Sequence, residues 1–330
     1  MKRTLQLIVT LGTCAAFAAC DGGGISVDIQ GPSFGGAPDI SEPVASIGVA
    51  TAGDSLYVNG VRYDTHSATV LINGEPDTIT NIRDGHIVQL EGRIGGLGLA
   101  GNAALVNVDA HVIGPVESID FDDIAITVLG QTVRIGMTTR FGAGVDPDDL
   151  AGLRLGAHIA ASGYVAADGG LEATRIDLVT AGSTVQVIGR ALAVDTGTRT
   201  FRVGSLDVDY GNTRVIGLPL GYPEEGGFVL VRGSFINDTL QADELLPVYG
   251  SGMRTVRERV YLEGLVTQFT GTSAFGVGAH RVSTTATTGF NSGTRDDLGA
   301  DAQIHVYGRI GSDGVTIVAD TITFLSLVER

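Results

Sequence analysis

The sequence predicts an all-β protein built from four tandem small barrels of about 70 residues each. Three observations predict it. Glycine supplies 49 of the 330 residues and proline only 9, and the apolar residues are mostly Val, Ile, Leu and Ala in short, punctuated runs. No window carries a sustained apolar stripe at helical spacing. Several landmarks recur at a shared period of about 70–75 residues.

The first nineteen residues stand outside the fold. "MKRTLQLIVTLGTCAAFAAC" has a basic start at Lys2 and Arg3, an apolar run from Leu5 to Phe17 and small residues before Cys20. Phe17-Ala18-Ala19-Cys20 resembles the bacterial lipobox. That resemblance implies cleavage after Ala19 and lipidation of the Cys20 thiol and amine, with more than one acyl chain giving a stable anchor. An ordinary secretory signal is the alternative. Residues 20–43, rich in Gly and Pro and without period, read as a tether. Loss of Lys2 and Arg3 leaves 19 basic residues, all arginine, against 37 acidic ones, a net charge of −18. Such a balance argues against phosphate-backbone partners. With Cys20 the one remaining cysteine, no internal disulfide can form.

Four copies follow, at 44–112, 113–181, 182–250 and 251–330. In "IVQLEGRIG" (residues 87–95), Val88, Leu90 and Ile94 share one face of an extended chain, and Gly92 falls on that same apolar face. The phrase recurs as "HIAASGYVA", "FVLVRGSFI" and "QIHVYGRIG", with Gly163, Gly233 and Gly308 in the matching position, 71, 70 and 75 residues apart. Seven residues before each lies a turn position: Gly85, Gly156, Gly226 and Asp301. Ten before lies Ile82, Leu153, Pro223 or Leu298. A first strand carries Gly48, Gly114, Gly189 and Gly264, and a second carries Gly60, Gly130, Gly204 and Gly278. Thr69, Thr139, Thr213 and Thr288 follow, and a last strand starts at Ala103, Ala173, Ala242 and Ala319.

Each copy thus has five or six short strands and no clear helix. So small a sheet buries a face only by curling. Closure of five strands needs sharp bends and close backbone approach, which glycine at an inward position permits. Gly92, Gly163, Gly233 and Gly308 are therefore read as structural glycines; a β-bulge in an open sheet or sandwich is the alternative. Strand order and length suggest an OB-like barrel whose usual helix before the fourth strand is reduced to a turn, as in "TNIRDG" or "DPDDLAGLRLG". Because the copies abut without linkers, they are expected to pack into a stiff rod or arc.

The phrases "VNGVRYDTHSATVLING", "DGHIVQLEGRI", "VIGPVESID" and "LEATRID" resemble the bacterial repeats called domain of unknown function 5666. The likeness is close over 44–181 and looser over 182–330. It implies an exported protein or lipoprotein carrying the domain in tandem, and it supplies no catalytic residues.

Candidate chemistry is sparse. His66, His86, His111, His158, His280 and His305 occupy no shared position among the copies and form no metal-binding spacing, so they read as surface or incidental residues. The acidic clusters at Asp120, Asp122 and Asp123, at Asp146, Asp148 and Asp149, and at Asp296, Asp297 and Asp301 read as solvated turns. "DPDD" is the best candidate for Ca²⁺, although it lacks the EF-hand pattern. No G-x-S-x-G occurs, and the glycines of "GRIGGLGLAG" belong to a hairpin rather than a phosphate cradle. Absence of tryptophan and mature lysine excludes a nucleic-acid platform. No cofactor is predicted. The expected function is that of a non-enzymatic lipoprotein of the bacterial cell envelope, anchored to a membrane at Cys20, facing the periplasm and presenting barrels to a protein or glycan partner. The alternative is a periplasmic carrier of Ca²⁺ or a small ligand.

Overall fold

The computed structural model describes residues 40–53, 55–95, 98–145, 153–182, 184–248 and 259–325. Cys20, the signal and residues 21–39 of the tether lie outside them, as do Asp146, Asp148 and Asp149. Residues 40–43, assigned above to the tether, already belong to the first strand, Ile40–Thr51. Among the described residues there is no α-helix, and the helical content is two single turns of 3-10 helix, Ile79–Asn81 and Arg295–Asp297.

Copy one closes on itself as a small five-stranded barrel. The strand Ile40–Thr51 pairs antiparallel with Leu56–Val58, which pairs with Val61–Asp64. Val61–Asp64 and Thr69–Ile72 run parallel to the last strand, Ala100–Val108. That strand pairs with Ile87–Gly95, which returns to Ile40–Thr51. The ring order is first, second, third, fifth, fourth, first. The same succession of pairings recurs over residues 112–178. It recurs again over 185–247, where the first strand is interrupted at Ala191, and over 259–324.

The inward glycines sit at a register shift between the fourth and last strands. Gly92 lies opposite Ala103, Gly163 opposite Ala173, Gly233 opposite Ala242 and Gly308 opposite Ala319. At each pair the register shifts, leaving one extra residue on the last strand: Ala104, Thr174, Asp243 or Asp320. A Cβ on Gly92 would strike the Asn102 carbonyl oxygen and stand 3.1 Å from the Ala103 Cα; at Gly163, Gly233 and Gly308 the Cα of the facing alanine would be 3.0, 2.9 and 3.1 Å away. Barrel closure and β-bulge, posed as alternatives from sequence, therefore coexist: the bulge coils the strand pair. In copies two to four a threonine hydroxyl donates to the carbonyl of the same alanine, at 2.7 Å each: Thr139 to Ala173, Thr213 to Ala242 and Thr288 to Ala319.

Other landmarks have equally local reasons. Gly85, Gly156, Gly226 and Asp301 all adopt left-handed φ, between 62° and 90°. Their N–H groups donate to carbonyls of the first strand at Ala50, Val116, Ala191 and Val266. Ile82, Leu153, Pro223 and Leu298 are buried under these turns. Gly60, Gly130, Gly204 and Gly278 are placed differently from the sequence reading. They lie in the turn joining the second and third strands, each with positive φ, because a two-residue hairpin turn needs that conformation.

The copies pack against one another, and the last returns to the first. The described residues of the four copies form a single compact unit. The first strand of copy one pairs in parallel with that of copy four, Val44–Ile47 against Arg259–Leu262. Copy two meets copy three through Val112 and Ile113 against Val187 and Gln186. Copies two and three share one apolar core, which includes Ile126, Val133, Ile159, Val187 and Val231. The core of copy four extends to Ala45, Ile47 and Ile87 of copy one and Tyr164 of copy two. A 70-residue unit buries little of its own surface, so return of the chain end onto copy one covers apolar area that a rod would leave wet.

Gly92→Val should lower stability by about 1–3 kcal/mol, because backbone fills the space its side chain needs. Gly136, beside which a Cβ would meet nothing within 4 Å, is the control. Gly136→Ala should leave the unfolding midpoint in place. Equal midpoints for Gly92→Val and the parent would contradict the close approach.

Candidate functional site

Two hollows lie at the boundaries of copy one with its neighbours, copies two and four. One hollow of about 590 Å³ is lined by Ser55, Leu56, Ile79, Thr80, Arg83, Asp84, Arg140, Phe141 and Arg175, among others. A second, of about 510 Å³, shares Asp84 and Arg140 and continues past Gly85, Met137, Thr174, Tyr164 and Glu263 to Gln303. Both fall within the range of small-molecule sites.

The rim is set by the turns of copy one and the bulged strand of copy two. Thr174, the extra residue of the copy-two bulge, donates its hydroxyl to the Gly85 carbonyl at 2.6 Å. Arg175 donates to the Asp84 carbonyl at 3.1 Å and forms a two-pronged pair with Asp177 at 2.5 and 2.6 Å. His86 reaches the same carboxylate at 3.5 Å. Burial alone would raise Asp177, but the His86 and Arg175 contacts outweigh it and hold the carboxyl below its usual range.

Glu263 forms the floor of the second hollow. It comes from the first strand of copy four and accepts the Val49 N–H of copy one at 3.3 Å. His305 lies 3.4 Å from its Oε2. Tyr164 of copy two is buried beside it; burial first, then the neighbouring carboxylate, push the phenol well above its usual pKa. Burial also works to raise Glu263, yet the contacts from His305, Tyr164 and the Val49 N–H leave it below 4.5. One carboxylate thus joins three copies. In the corresponding place the other copies carry Ile47, Ile113 and Ile188, each just before the first-strand glycine. That break in the repeat is the signal from which sequence could have found Glu263.

Two histidines lie deeper than the sequence suggested. His111 and His280 line a cavity of about 70 Å³ together with Gly163, Tyr164 and Glu263. Burial lowers both imidazoles to about 4, so both are neutral near pH 7. Among the described residues no three His, Cys, Asp or Glu side chains are grouped to hold a metal ion. Asp120 caps its own turn by accepting the N–H of Asp122 and Asp123. Gly92, Gly163, Gly233 and Gly308 are brought together with their alanines, not with one another. No helix among the described residues is long and apolar enough to cross a membrane.

Fold and hollows define an all-β protein of tandem barrel-type units with clefts at their boundaries. The sequence model of the family described as "Domain of unknown function (DUF5666)" matches residues 113–177 and 263–323. These stretches fall within copies two and four, supporting the family and its tandem occurrence. The match differs from the likeness read in the sequence: copy four is recognised despite its longer polar insert, and copy one is not. No curated protein and no solved structure matches the chain.

Glu263→Gln removes the charge and keeps the shape. A carboxyl whose native pKa is lowered stabilises the fold above its unfolded value of 4.5 and loses that contribution as pH falls through the native value. The variant should be less stable at pH 7 by about 1–3 kcal/mol, and the gap should close in acid. Thermal melts of both proteins across pH 3–7 measure this; a gap independent of pH would remove the carboxylate from the argument.

Proposed function

We propose that this protein is a non-enzymatic lipoprotein of the bacterial cell envelope, in which four OB-like barrels form one rigid body that presents its surfaces to a protein or glycan partner in the periplasm. The observation that carries this reading is the joining of copies through their first strands and through Glu263. A chain built to move its domains would link them loosely; this one ties the described residues of its four copies into one unit with open clefts between copies. The OB-like assignment is supported by the ring order and by the parallel pairing of third and fifth strands, Arg62–Asp64 with Ala100–Asn102 in copy one. Attachment at Cys20 is supported by the basic, apolar and small-residue sequence before it.

A second reading, a small-ligand carrier, is favoured by the volumes of the two hollows. Its calcium form would draw on Asp146, Asp148 and Asp149.

Cys20→Ala should move the protein from the membrane fraction to the soluble fraction of the cell. A variant that stays with the membranes would refute lipid anchoring at this residue. Crosslinking of the parent in cells, followed by identification of captured species, should return a protein or glycan of the envelope. Return of the uncrosslinked chain alone would count against the presenting role.

A further inference from the structure

We propose that the hollow between copies one and two is a binding site for an oxyanion-bearing ligand, carboxylate or phosphate, held by the guanidinium groups of Arg83 and Arg140. This deepens the reading of the protein as a binding module and rests on it.

The argument begins with charge. The chain has a formal net charge of −16, yet the described residues lining this hollow include three arginines and one aspartate. Arg140 and Arg175 are directly opposite each other on the parallel strands of copy two. Both crowd Gly85 of copy one, where an added Cβ would lie 3.2 Å from the Cβ of Arg140 and 3.1 Å from that of Arg175. Arg83 is two residues before that glycine. Like charges facing one another across strands are destabilising unless counter-charge is supplied.

Among the described residues, counter-charge satisfies only one of the three. Asp177 is engaged by Arg175 on both oxygens. Asp84, the one carboxylate lining the hollow among the described residues, accepts the Ala52 N–H at 2.7 Å and so holds the adjacent loop. Arg83 donates to the Thr80 carbonyl, which fixes its direction without neutralising it. Neither Arg83 nor Arg140 has a carboxylate partner among the described residues.

An oxyanion is the chemistry that completes this arrangement. A guanidinium offers planar, paired donors that match carboxylate or phosphate oxygens. Phe141, half-buried beside Arg140, gives the hollow an apolar wall for the body of the ligand. The second hollow, lined by Asp84, Glu172 and Glu263 against Arg140, repels anions. The ligand's negative group is therefore directed to the copy-one side.

The test is titration calorimetry of the full-length protein at low ionic strength with two probes, inorganic phosphate and galacturonate. Saturable binding of phosphate alone assigns a phosphate source, of galacturonate alone a carboxylate source; both outcomes support the site. Binding should weaken in high salt and fall by about tenfold or more in R83Q/R140Q, as expected for loss of charge-assisted pairs. R83Q and R140Q, each at an exposed side chain, report separately if the double variant folds poorly. R202Q, an exposed position in copy three, should bind like the parent. No saturable binding of either probe, or equal binding by the arginine variants, would overturn the proposal. Capture of an envelope partner in the crosslinking experiment would then stand by itself, so the two failures are distinguishable.

Discussion

Closure of each five-stranded ring depends on one contact: the backbone of a glycine pressed against the backbone of an alanine on the neighbouring strand. Five short strands cannot bury a face while flat. They must coil, and an extra residue on the last strand supplies the coil. The extra residue brings the two backbones so close that a side chain at the glycine has no volume. The threonine hydroxyl that closes on the alanine carbonyl in copies two to four then satisfies an acceptor that the bulge removes from the ladder. The left-handed turn seven residues earlier ties the start of the fourth strand to the first strand, over a buried apolar residue.

Assembly of the copies uses different chemistry. Where the first strands of copies one and four lie side by side, the amide of Asn59 donates to Ser46, to the Ile47 carbonyl and to the Tyr261 carbonyl at 3.0–3.2 Å. At the junction of copies two and three, Gln131 donates to the Leu129 and Val203 carbonyls at 3.0 and 2.7 Å. Gln186, nearly inaccessible, accepts from Arg232 at 2.7 Å, and Arg232 continues to Asp109 and Glu244 at 2.7 Å each. Buried polar groups such as Gln131 and Gln186 are costly unless satisfied, and satisfied they favour one arrangement over others. Apolar cores alone would let four similar copies pair in several ways. The polar clasps, one set per junction, distinguish the neighbours.

That division also locates the cleft. Ring closure consumes the repeated residues, so chemistry specific to one place must come from residues that depart from the repeat. Glu263 replaces an isoleucine, and His305 occupies a position held elsewhere by Gln89, Ala160 and Leu230. Arg175 stands where the other copies have Leu105, Glu244 and Thr321. These departures gather at the meeting of copies one, two and four, the same region that holds both large hollows.

Sequence alone determined the all-β class, the period and the close approach at Gly92, Gly163, Gly233 and Gly308, because strand alternation and turn chemistry act over a few residues and repeat with the copies. It placed Gly60 and its equivalents inside a strand, since "YVNGVRY" alternates across the turn as well as along it. It ranked the histidines as surface residues, since a residue's depth in a junction leaves no local mark. Only tertiary structure decided that copy four returns to copy one, that Glu263 joins three copies, and that Arg83, Arg140 and Arg175 converge on Gly85. Those contacts link residues tens to hundreds of positions apart. They are set by which barrel surfaces bury best against one another, a property of the folded surfaces that no local window of the chain contains.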